Sequence, residues 1–355
     1  MREEMNSSLA DCGAARLINT TLYLKREQYS NTTRFSKDHP APLLREWIFL
    51  PTSWEANLFI IPTVSCLFAA LLIIPAILFV ICTNLSLRQE TRYQLLGNAL
   101  LSDLAYLVFY GLSALFNVLN LRLPDYGCVL LLFLLAVTYC GGVLTAAAMV
   151  LDTYLAVLWP LRYVSIVPPS RTKKLIVILW ISSCFFPAVI FVVLYLTRKA
   201  TPCPFEMCSL PVILIITLHG DDTIKFCYIL FVASFLLCIS LILCCYALLC
   251  FKTRESGIWK GVSSRASITF LMHHTILFFY FCPLLLLITE TLLYINSIIG
   301  LRTGLWVTLT ICNVLIVLPK ALFPYLYGLR YREISNSVCL LFRWKRPSLV
   351  APITA

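Results

Sequence analysis

Residues 128–163 read CVLLLFLLAVTYCGGVLTAAAMVLDTYLAVLWPLRY, and this stretch decides the fold of the chain. No charged side chain occurs from Cys128 to Leu151. A helix needs about 20 mostly apolar residues to cross the hydrocarbon core of a bilayer, so the stretch predicts a transmembrane helix. The helix ends at an acid, Asp152, and a Pro-Leu-Arg-Tyr turn follows at residues 160–163.

The composition of the whole chain also indicates lipid surroundings. Of its 355 residues, 60% are hydrophobic and 13% are charged, with a mean hydropathy of +0.87; a soluble domain is about half apolar and about a quarter charged. A net charge of +11 suggests nucleic acid in a soluble protein, but in a membrane protein basic residues mark cytoplasmic loops, so no nucleic-acid partner is expected. The sixteen cysteines show no metal-site spacing. No metal or cofactor is expected.

Seven apolar stretches, each long enough to span a bilayer, make up most of the chain. Because backbone polar groups in lipid must be satisfied within the protein, these stretches are expected to be helices. The predicted fold is therefore an all-α membrane protein, a seven-transmembrane helix bundle. The predicted spans cover residues 56–83, 93–120, 126–158, 173–196, 223–251, 264–294 and 303–327.

The basic residues of the short loops predict the orientation. Ten lysines and arginines lie in the loops assigned to the cytoplasm, against five in the outer loops and helix tops. Cytoplasmic loops carry the excess of basic residues, so the N-terminus is predicted to lie outside. The predicted domains are an extracellular tail (1–55), the seven-helix domain (56–327) and a cytoplasmic amphipathic helix and tail (328–355).

The tail before the first span carries three Asn-X-Ser/Thr triplets, at Asn6, Asn19 and Asn31. Such triplets accept glycans in secreted or extracellular segments. Three in one tail predict an extracellular, glycosylated N-terminus. The alternative is that the three triplets occur by chance.

The opening stretch resembles the third helix of the rhodopsin-like (class A) G-protein-coupled receptors. In that family a disulfide cysteine opens the helix, an Asp-Arg-Tyr triplet closes it and Pro-Leu-Arg-Tyr follows; the spacing from Cys128 to Asp152 matches. The resemblance covers residues 56–343, and some segments resemble one orphan member more closely. Residues typical of the second, fourth, sixth and seventh helices stand at Asp103, Trp180, Pro187, Pro283, Pro324 and Tyr327.

The resemblance implies a multi-pass receptor of the plasma membrane. It would transmit the signal of an unknown extracellular ligand to a heterotrimeric G protein, with arrestin as a further partner. The residues placed at the transducer-facing switch are Asp152, Thr153, Tyr154, Arg162, Arg265, Pro324 and Tyr327.

The triplet departs from the family pattern at Thr153. Family members carry an arginine there, which holds the inactive state and later meets the G protein. The usual acidic partner of that arginine, at the base of the sixth helix, is also missing, because Ser263 stands in its place. Asp152 is then expected either to pair with a loop base such as Arg162 or Arg265 or to be a solvated surface acid.

Asp103 lies in the middle of the second predicted span, and Lys320 lies one turn before Pro324 in the seventh. Such a charge costs about 2.5–3.5 kcal/mol on insertion scales and usually faces a partner. In the family the second-helix aspartate binds sodium with a third-helix serine and an asparagine near the seventh-helix proline. Those positions are Gly142 and Phe323 here. We expect Lys320 to replace sodium and pair with Asp103; the alternative is that Lys320 snorkels to the surface.

The family register also places a ligand pocket. Amine receptors of the family carry an aspartate at the position of Leu135, so a monoamine is disfavoured, while an apolar small molecule, a lipid and a peptide stay open. The expected pocket residues are Leu135, Tyr139, Leu284, Ile288, Thr310 and Asn313.

Four cysteines are expected on the oxidising outer side. The resemblance implies a bridge from Cys128 to the second outer loop, where Cys208 is favoured over Cys203. Cys12 could then pair with the remaining cysteine, and free thiols are the alternative.

Residues 330–346 place apolar side chains on one helical face with basic residues opposite. This pattern is typical of an amphipathic helix on the inner leaflet, so membrane lipid is a further expected partner. Cys339 is a palmitoylation candidate by position, and a free cytosolic thiol is the equal alternative.

Other functions are weighed against the receptor. Thr153 supports a weakly or non-signalling protein, such as a decoy, a chaperone or a heteromer partner. A chemosensory (odorant-like) receptor is disfavoured because the odorant Met-Ala-Tyr-Asp-Arg-Tyr run is absent, and a transporter because no internal repeat with broken helices appears. An enzyme is disfavoured because no histidine has a partnered carboxylate or cysteine; the histidines are His39, His219, His273 and His274.

Overall fold

The computed structural model describes residues 53–119, 121, 125–158, 163, 168–197, 264–295, 307–308 and 310–341, with isolated positions between 226 and 251. In this part of the chain every regular element is helical. The first helices are α1 (Ser53–Thr83), α2 (Leu85–Gln89), α3 (Thr91–Val118), α4 (Asp125–Leu158) and α5 (Pro169–Thr197). They are followed by α6 (Ser264–Ile295), a π-helical segment (Ile311–Val317), α7 (Leu318–Arg330) and α8 (Arg332–Leu341).

Among the described residues, four helices are long and apolar enough to cross a membrane, and they match the first four predicted spans. Their apolar segments are Ile60–Thr83, Thr91–Val118, Tyr126–Ala156 and Ser170–Val192. The sixth and seventh predicted spans contain shorter apolar helices, Thr275–Glu290 and Ile311–Tyr327. The fifth predicted span lies outside the described residues except for isolated helical positions. The prediction of an all-helical membrane bundle is confirmed.

Helix α4 lies in the centre of the described bundle. It packs against α3, α5 and α6, while α3 also packs against α1, and α7 packs against α1 and α3. Buried side chains at the centre include Ile74 of α1, Tyr106 of α3 and Leu135 of α4. Large apolar side chains such as Phe68 and Phe185 stay exposed, because lipid tails are as apolar as the side chains themselves.

A polar network joins α3, α4 and α5. The Asn98 amide nitrogen donates to Thr145 Oγ1 at 2.8 Å, and the Trp180 indole nitrogen donates to Asn98 Oδ1 at 2.8 Å. Both ends of the buried amide therefore have partners. Trp180, one of the residues that carry the family resemblance, fixes α5 against α3 through this contact.

The seventh span is not a regular α-helix. The amide of Leu318 donates to the carbonyl of Asn313, five residues earlier, which is the π-helical pattern. Pro319, in the first turn of α7, has no amide hydrogen and therefore cannot extend the π-helical bonds by one more residue. Proline is tolerated in the first turn of an α-helix, so α7 begins where the wider turns of residues 311–317 end.

Helix α8 is the short helix predicted after the seventh span. The chain leaves α7 at Tyr331, which has an extended backbone (φ −90°, ψ 98°). Ile334 is fully buried while Leu340 is exposed. Tyr93 Oη of α3 donates to Glu333 Oε2 at 3.0 Å. Helix α8 is thereby fixed against the N-terminal end of α3.

Candidate functional site

The middle of the bundle holds an ion pair between two helices. Lys320 Nζ on α7 contacts Asp103 Oδ1 on α3, and only 3% and 4% of the two side chains are exposed. Either charge alone would be expensive at this depth, whereas a paired and hydrogen-bonded charge is tolerated. The structure thus brings together the two residues that the sequence suggested as a pair, and Lys320 does not reach toward the surface.

A third helix contributes to the same carboxylate. Tyr280 Oη on α6 donates to Asp103, at 2.6 Å from Oδ1 and 2.7 Å from Oδ2. Tyr139 Oη on α4 donates in turn to the main-chain oxygen of Tyr280 at 2.7 Å. We call Asp103, Lys320 and Tyr280 the Asp103 cluster. Sequence reasoning missed Tyr280, although a hydroxyl-bearing residue three positions before the kink proline Pro283 was a usable signal.

Aromatic rings surround the ammonium group of Lys320. Lys320 Nζ lies 4.3 Å from the ring centroid of Tyr280, 5.1 Å from that of Tyr106 and 5.5 Å from that of Tyr139. A cation within about 6 Å of an aromatic face is stabilised by the ring quadrupole. Tyr139, predicted to line the ligand pocket, therefore contacts Lys320 and supports the Asp103 cluster.

Gly142 on α4 leaves the space that the Asp103 cluster fills. A Cβ at this position would lie 3.0 Å from Tyr280 Cε1, 3.3 Å from Lys320 Nζ and 3.4 Å from Asp103 Oδ1. The first two distances are tighter than ordinary van der Waals contact. Glycine at the family's serine position thus removes a hydroxyl and also makes room for an ammonium group and a phenol ring.

The other predicted pocket residues differ in their surroundings. Leu135 is buried, Leu284 and Ile288 are half-buried, and Thr310 is exposed. Asn313 is buried, and its Oδ1 accepts a hydrogen bond from Thr63 Oγ1 at 2.6 Å. That bond ties the π-helical segment to α1.

A second buried acid lies toward the C-terminal end of α6. Thr308 Oγ1 donates to both carboxylate oxygens of Glu290, at 2.6 Å each. Glu290 is 8% exposed and Thr308 is 4% exposed. Sequence reasoning did not single out Glu290. The available signal was an acid inside an otherwise apolar span, seven residues after Pro283.

The C-terminal end of α4 carries the altered triplet. Tyr163 Oη donates to Asp152 Oδ1 at 2.8 Å, whereas a loop base was one predicted partner; the side chains of Arg162 and Arg265 lie outside the described residues. Burial, and then the hydrogen bond to Asp152 and its charge, raise the pKa of Tyr163 above its usual range, so the phenol stays a neutral donor. Asp152 is therefore neither a freely solvated acid nor, among the described residues, half of an ion pair.

Thr153 makes a bond within its own helix. Its Oγ1 donates to the carbonyl of Met149 at 2.9 Å. Tyr154, like Thr153, is half-buried. At the end of the seventh span Pro324 and Tyr327 are buried, and the ring of Tyr327 stacks on Tyr331 with centroids 6.3 Å apart.

Several predicted sites lie outside the described residues. Cys128 is buried and disulfide-bonded, but Cys208, Cys203 and Cys12 all fall outside this part of the chain, so the predicted partner stays a prediction. The side chain of Cys339 and the predicted glycosylation sites Asn6, Asn19 and Asn31 also lie outside the described part of the chain, so lipidation and glycosylation stay predictions.

Comparison with known proteins agrees with this architecture. The sequence model of the 7 transmembrane receptor (rhodopsin family) matches residues 75–327, a range that contains the Asp103 cluster, Glu290 and the Asp152 triplet. The chain is also 30% identical over 296 residues to the human protein "Probable G-protein coupled receptor 148", an alignment that covers 82% of this chain and 81% of that protein. The chain therefore belongs to the rhodopsin family of seven-transmembrane, G-protein-coupled receptors.

Proposed function

We propose that this chain is a plasma-membrane receptor that couples an extracellular ligand to a heterotrimeric G protein, and that the Asp103 cluster restrains its resting state. Family membership supports the coupling to a G protein. The observation that carries the restraint is that one buried carboxylate accepts from α6 through Tyr280 and contacts α7 through Lys320.

The Asp103 cluster restrains the bundle because its groups are buried, so bulk water does not replace a hydrogen bond that is lost. If α6 moves away from α3, the Asp103 carboxylate loses the Tyr280 donor and stays buried. An unsatisfied buried polar group costs about 1–3 kcal/mol, and more when it is charged. A ligand that favours a displaced α6 must supply that difference through its own contacts.

The test removes one hydroxyl. Tyr280→Phe keeps the ring over Lys320 but deletes the hydrogen bond to Asp103, so it should raise basal signalling in a panel that reads cAMP, calcium and arrestin recruitment. The matched control is Tyr325→Phe, since Tyr325 Oη donates to the Ala69 carbonyl at 2.7 Å away from the Asp103 cluster. If both variants reach the surface and keep the parent basal level, the Asp103 cluster is not the restraint.

A weakly signalling protein, such as a decoy or a heteromer partner, is the second candidate. The observation that favours it is Thr153, whose hydroxyl bonds to Met149 of its own helix and which offers no charge to a transducer. The two candidates share a fold and differ in how strongly they signal to a G protein. The variant Thr153→Arg restores the cation at this position, and its signalling distinguishes the two candidates.

A further inference from the structure

Glu290 is the third buried ionisable side chain in the described bundle. Among the described residues, the acids and bases with buried side chains are Asp103, Glu290 and Lys320. Asp103 and Lys320 pair with each other, so Glu290 is the buried acid that has no basic partner among the described residues. A buried charge without an opposite partner is costly, and an ionisable group inside a membrane protein usually marks a functional site.

Thr308 orients the Glu290 carboxylate without neutralising it. Its hydroxyl donates to both carboxylate oxygens at 2.6 Å, but a hydroxyl carries no charge. The ion pairs seen between two described residues are Arg92–Glu90 and Lys320–Asp103, and neither of them involves Glu290. The carboxylate is therefore held in one orientation and has acceptor capacity left for a cation.

Aromatic rings pack in the core next to the seventh span. Cys312, four residues after Thr308, is buried in the same core as Tyr106, and Tyr110 and Tyr139 pack against that core. The ring of Tyr106 stacks on Tyr110 with centroids 5.9 Å apart and lies 5.8 Å from that of Tyr139. A buried carboxylate and a group of tyrosine rings along the same span suit an organic cation with an apolar body, since both features attract positive charge.

We propose that Glu290 binds the cationic group of a small organic ligand, an amidinium, guanidinium or primary ammonium group, whose apolar body extends toward the tyrosines. This names the ligand class of the receptor function proposed above and rests on it. The site differs from the third-helix aspartate of amine receptors, because that position is the buried Leu135. The acid lies on α6, and Thr308 holds it from the seventh span.

Benzamidine and benzamide provide the test. The two molecules have nearly the same shape, but only benzamidine is charged. Binding is measured as a thermal shift and by calorimetric titration on the purified full chain in lipid nanodiscs. The variants are Glu290→Gln, which removes the charge, Glu290→Asp, which keeps it on a shorter side chain, and the control Glu333→Gln, which changes an exposed acid on α8.

Benzamidine, and not benzamide, should stabilise the unmodified protein. Glu290→Gln should raise the benzamidine Kd about tenfold or more, as expected for loss of a hydrogen bond to a charged group; Glu290→Asp should keep part of the affinity and Glu333→Gln all of it. Equal affinity in Glu290→Gln, equal binding of benzamide, or no benzamidine binding to the unmodified protein overturns the proposal. The last two outcomes are measured on the unmodified protein, so they do not depend on whether a variant folds. Binding is also measured without a G protein, so the result does not depend on whether the receptor couples to one.

Discussion

Lys320 on α7 and Asp103 on α3, which are 217 positions apart in the chain, form a buried ion pair in the middle of the bundle. Removing one partner of such a pair leaves an uncompensated charge and typically costs about 3–5 kcal/mol, whereas removing both is often close to neutral. The pair is therefore a strong connection between these helices only while both residues are present.

Lys320→Met alone should lower the thermal stability and the surface expression of the receptor. The double variant Asp103→Asn with Lys320→Met should recover much of both, because no charge is then left buried without a partner. Thermal unfolding of the detergent-solubilised protein and surface staining check this. Strictly additive losses, or a stability of the unmodified protein that depends on sodium, would show that Lys320 does not act as the internal cation.

Gly142→Ala should destabilise the protein by about 1–3 kcal/mol, the usual cost of overpacking a core. The new methyl group would lie 3.0 Å from Tyr280 Cε1 and 3.3 Å from Lys320 Nζ. Gly97→Ala is the matched control, since the nearest atom to its Cβ would be a Leu78 methyl at 3.8 Å. There alanine should be neutral or stabilise α3 by up to about 1 kcal/mol. Equal melting temperatures for the two variants would contradict the assignment of space at Gly142.

Thr153→Arg should raise basal or ligand-driven signalling. The arginine restores a transducer-facing cation, and the acid that would restrain it is missing because Ser263 occupies that position. The expected loss of stability is small, since among the described residues the Thr153 hydroxyl bonds to the Met149 carbonyl of its own helix alone. Second-messenger and arrestin assays at matched surface expression measure the effect. A flat response in every assay would instead favour a non-signalling role.

Treatment of surface-expressed protein with a glycosidase should increase its gel mobility. The three predicted acceptor sites, Asn6, Asn19 and Asn31, precede the first span, and the basic loops predict that this end is extracellular. A variant with all three asparagines changed to glutamine should migrate like the digested protein before any treatment. An unchanged mobility of surface protein on digestion would argue against an outside, glycosylated tail.

The spans and the Asp103–Lys320 contact could be predicted from the sequence because burying a charged side chain in lipid costs free energy. A long stretch without charges is therefore suited to the bilayer, and a single charge inside an apolar span is expected to have a partner. The four long membrane helices accordingly lie close to the predicted ranges.

Tyr280 and Glu290 could not be placed so readily, because an apolar pattern does not show which face of a membrane helix points inward. Phe278 is exposed while the neighbouring Phe279 packs against the core, although both are equally at home in lipid. The tyrosine at position 280 signals a hydroxyl that needs a partner when it is buried, but its sequence position does not identify that partner. Glu290 is recognisable in the sequence as an acid in an apolar span. Its partner Thr308 is not, because their contact depends on how α6 packs against the seventh span.

The π-helical segment Ile311–Val317 also affects how residues of the seventh span are compared with those of relatives. Each of its turns takes in one residue more than an α-helical turn, and one residue corresponds to a rotation of about 100° around a helix axis. A side chain placed by counting back from Pro324, such as Thr310, can therefore point in a different direction from its numerical counterpart in a receptor with a regular helix. Conversely, deleting one residue between 311 and 317 would rotate the part of the span that precedes the deletion, including Thr308, by more than a quarter of a circle relative to Lys320.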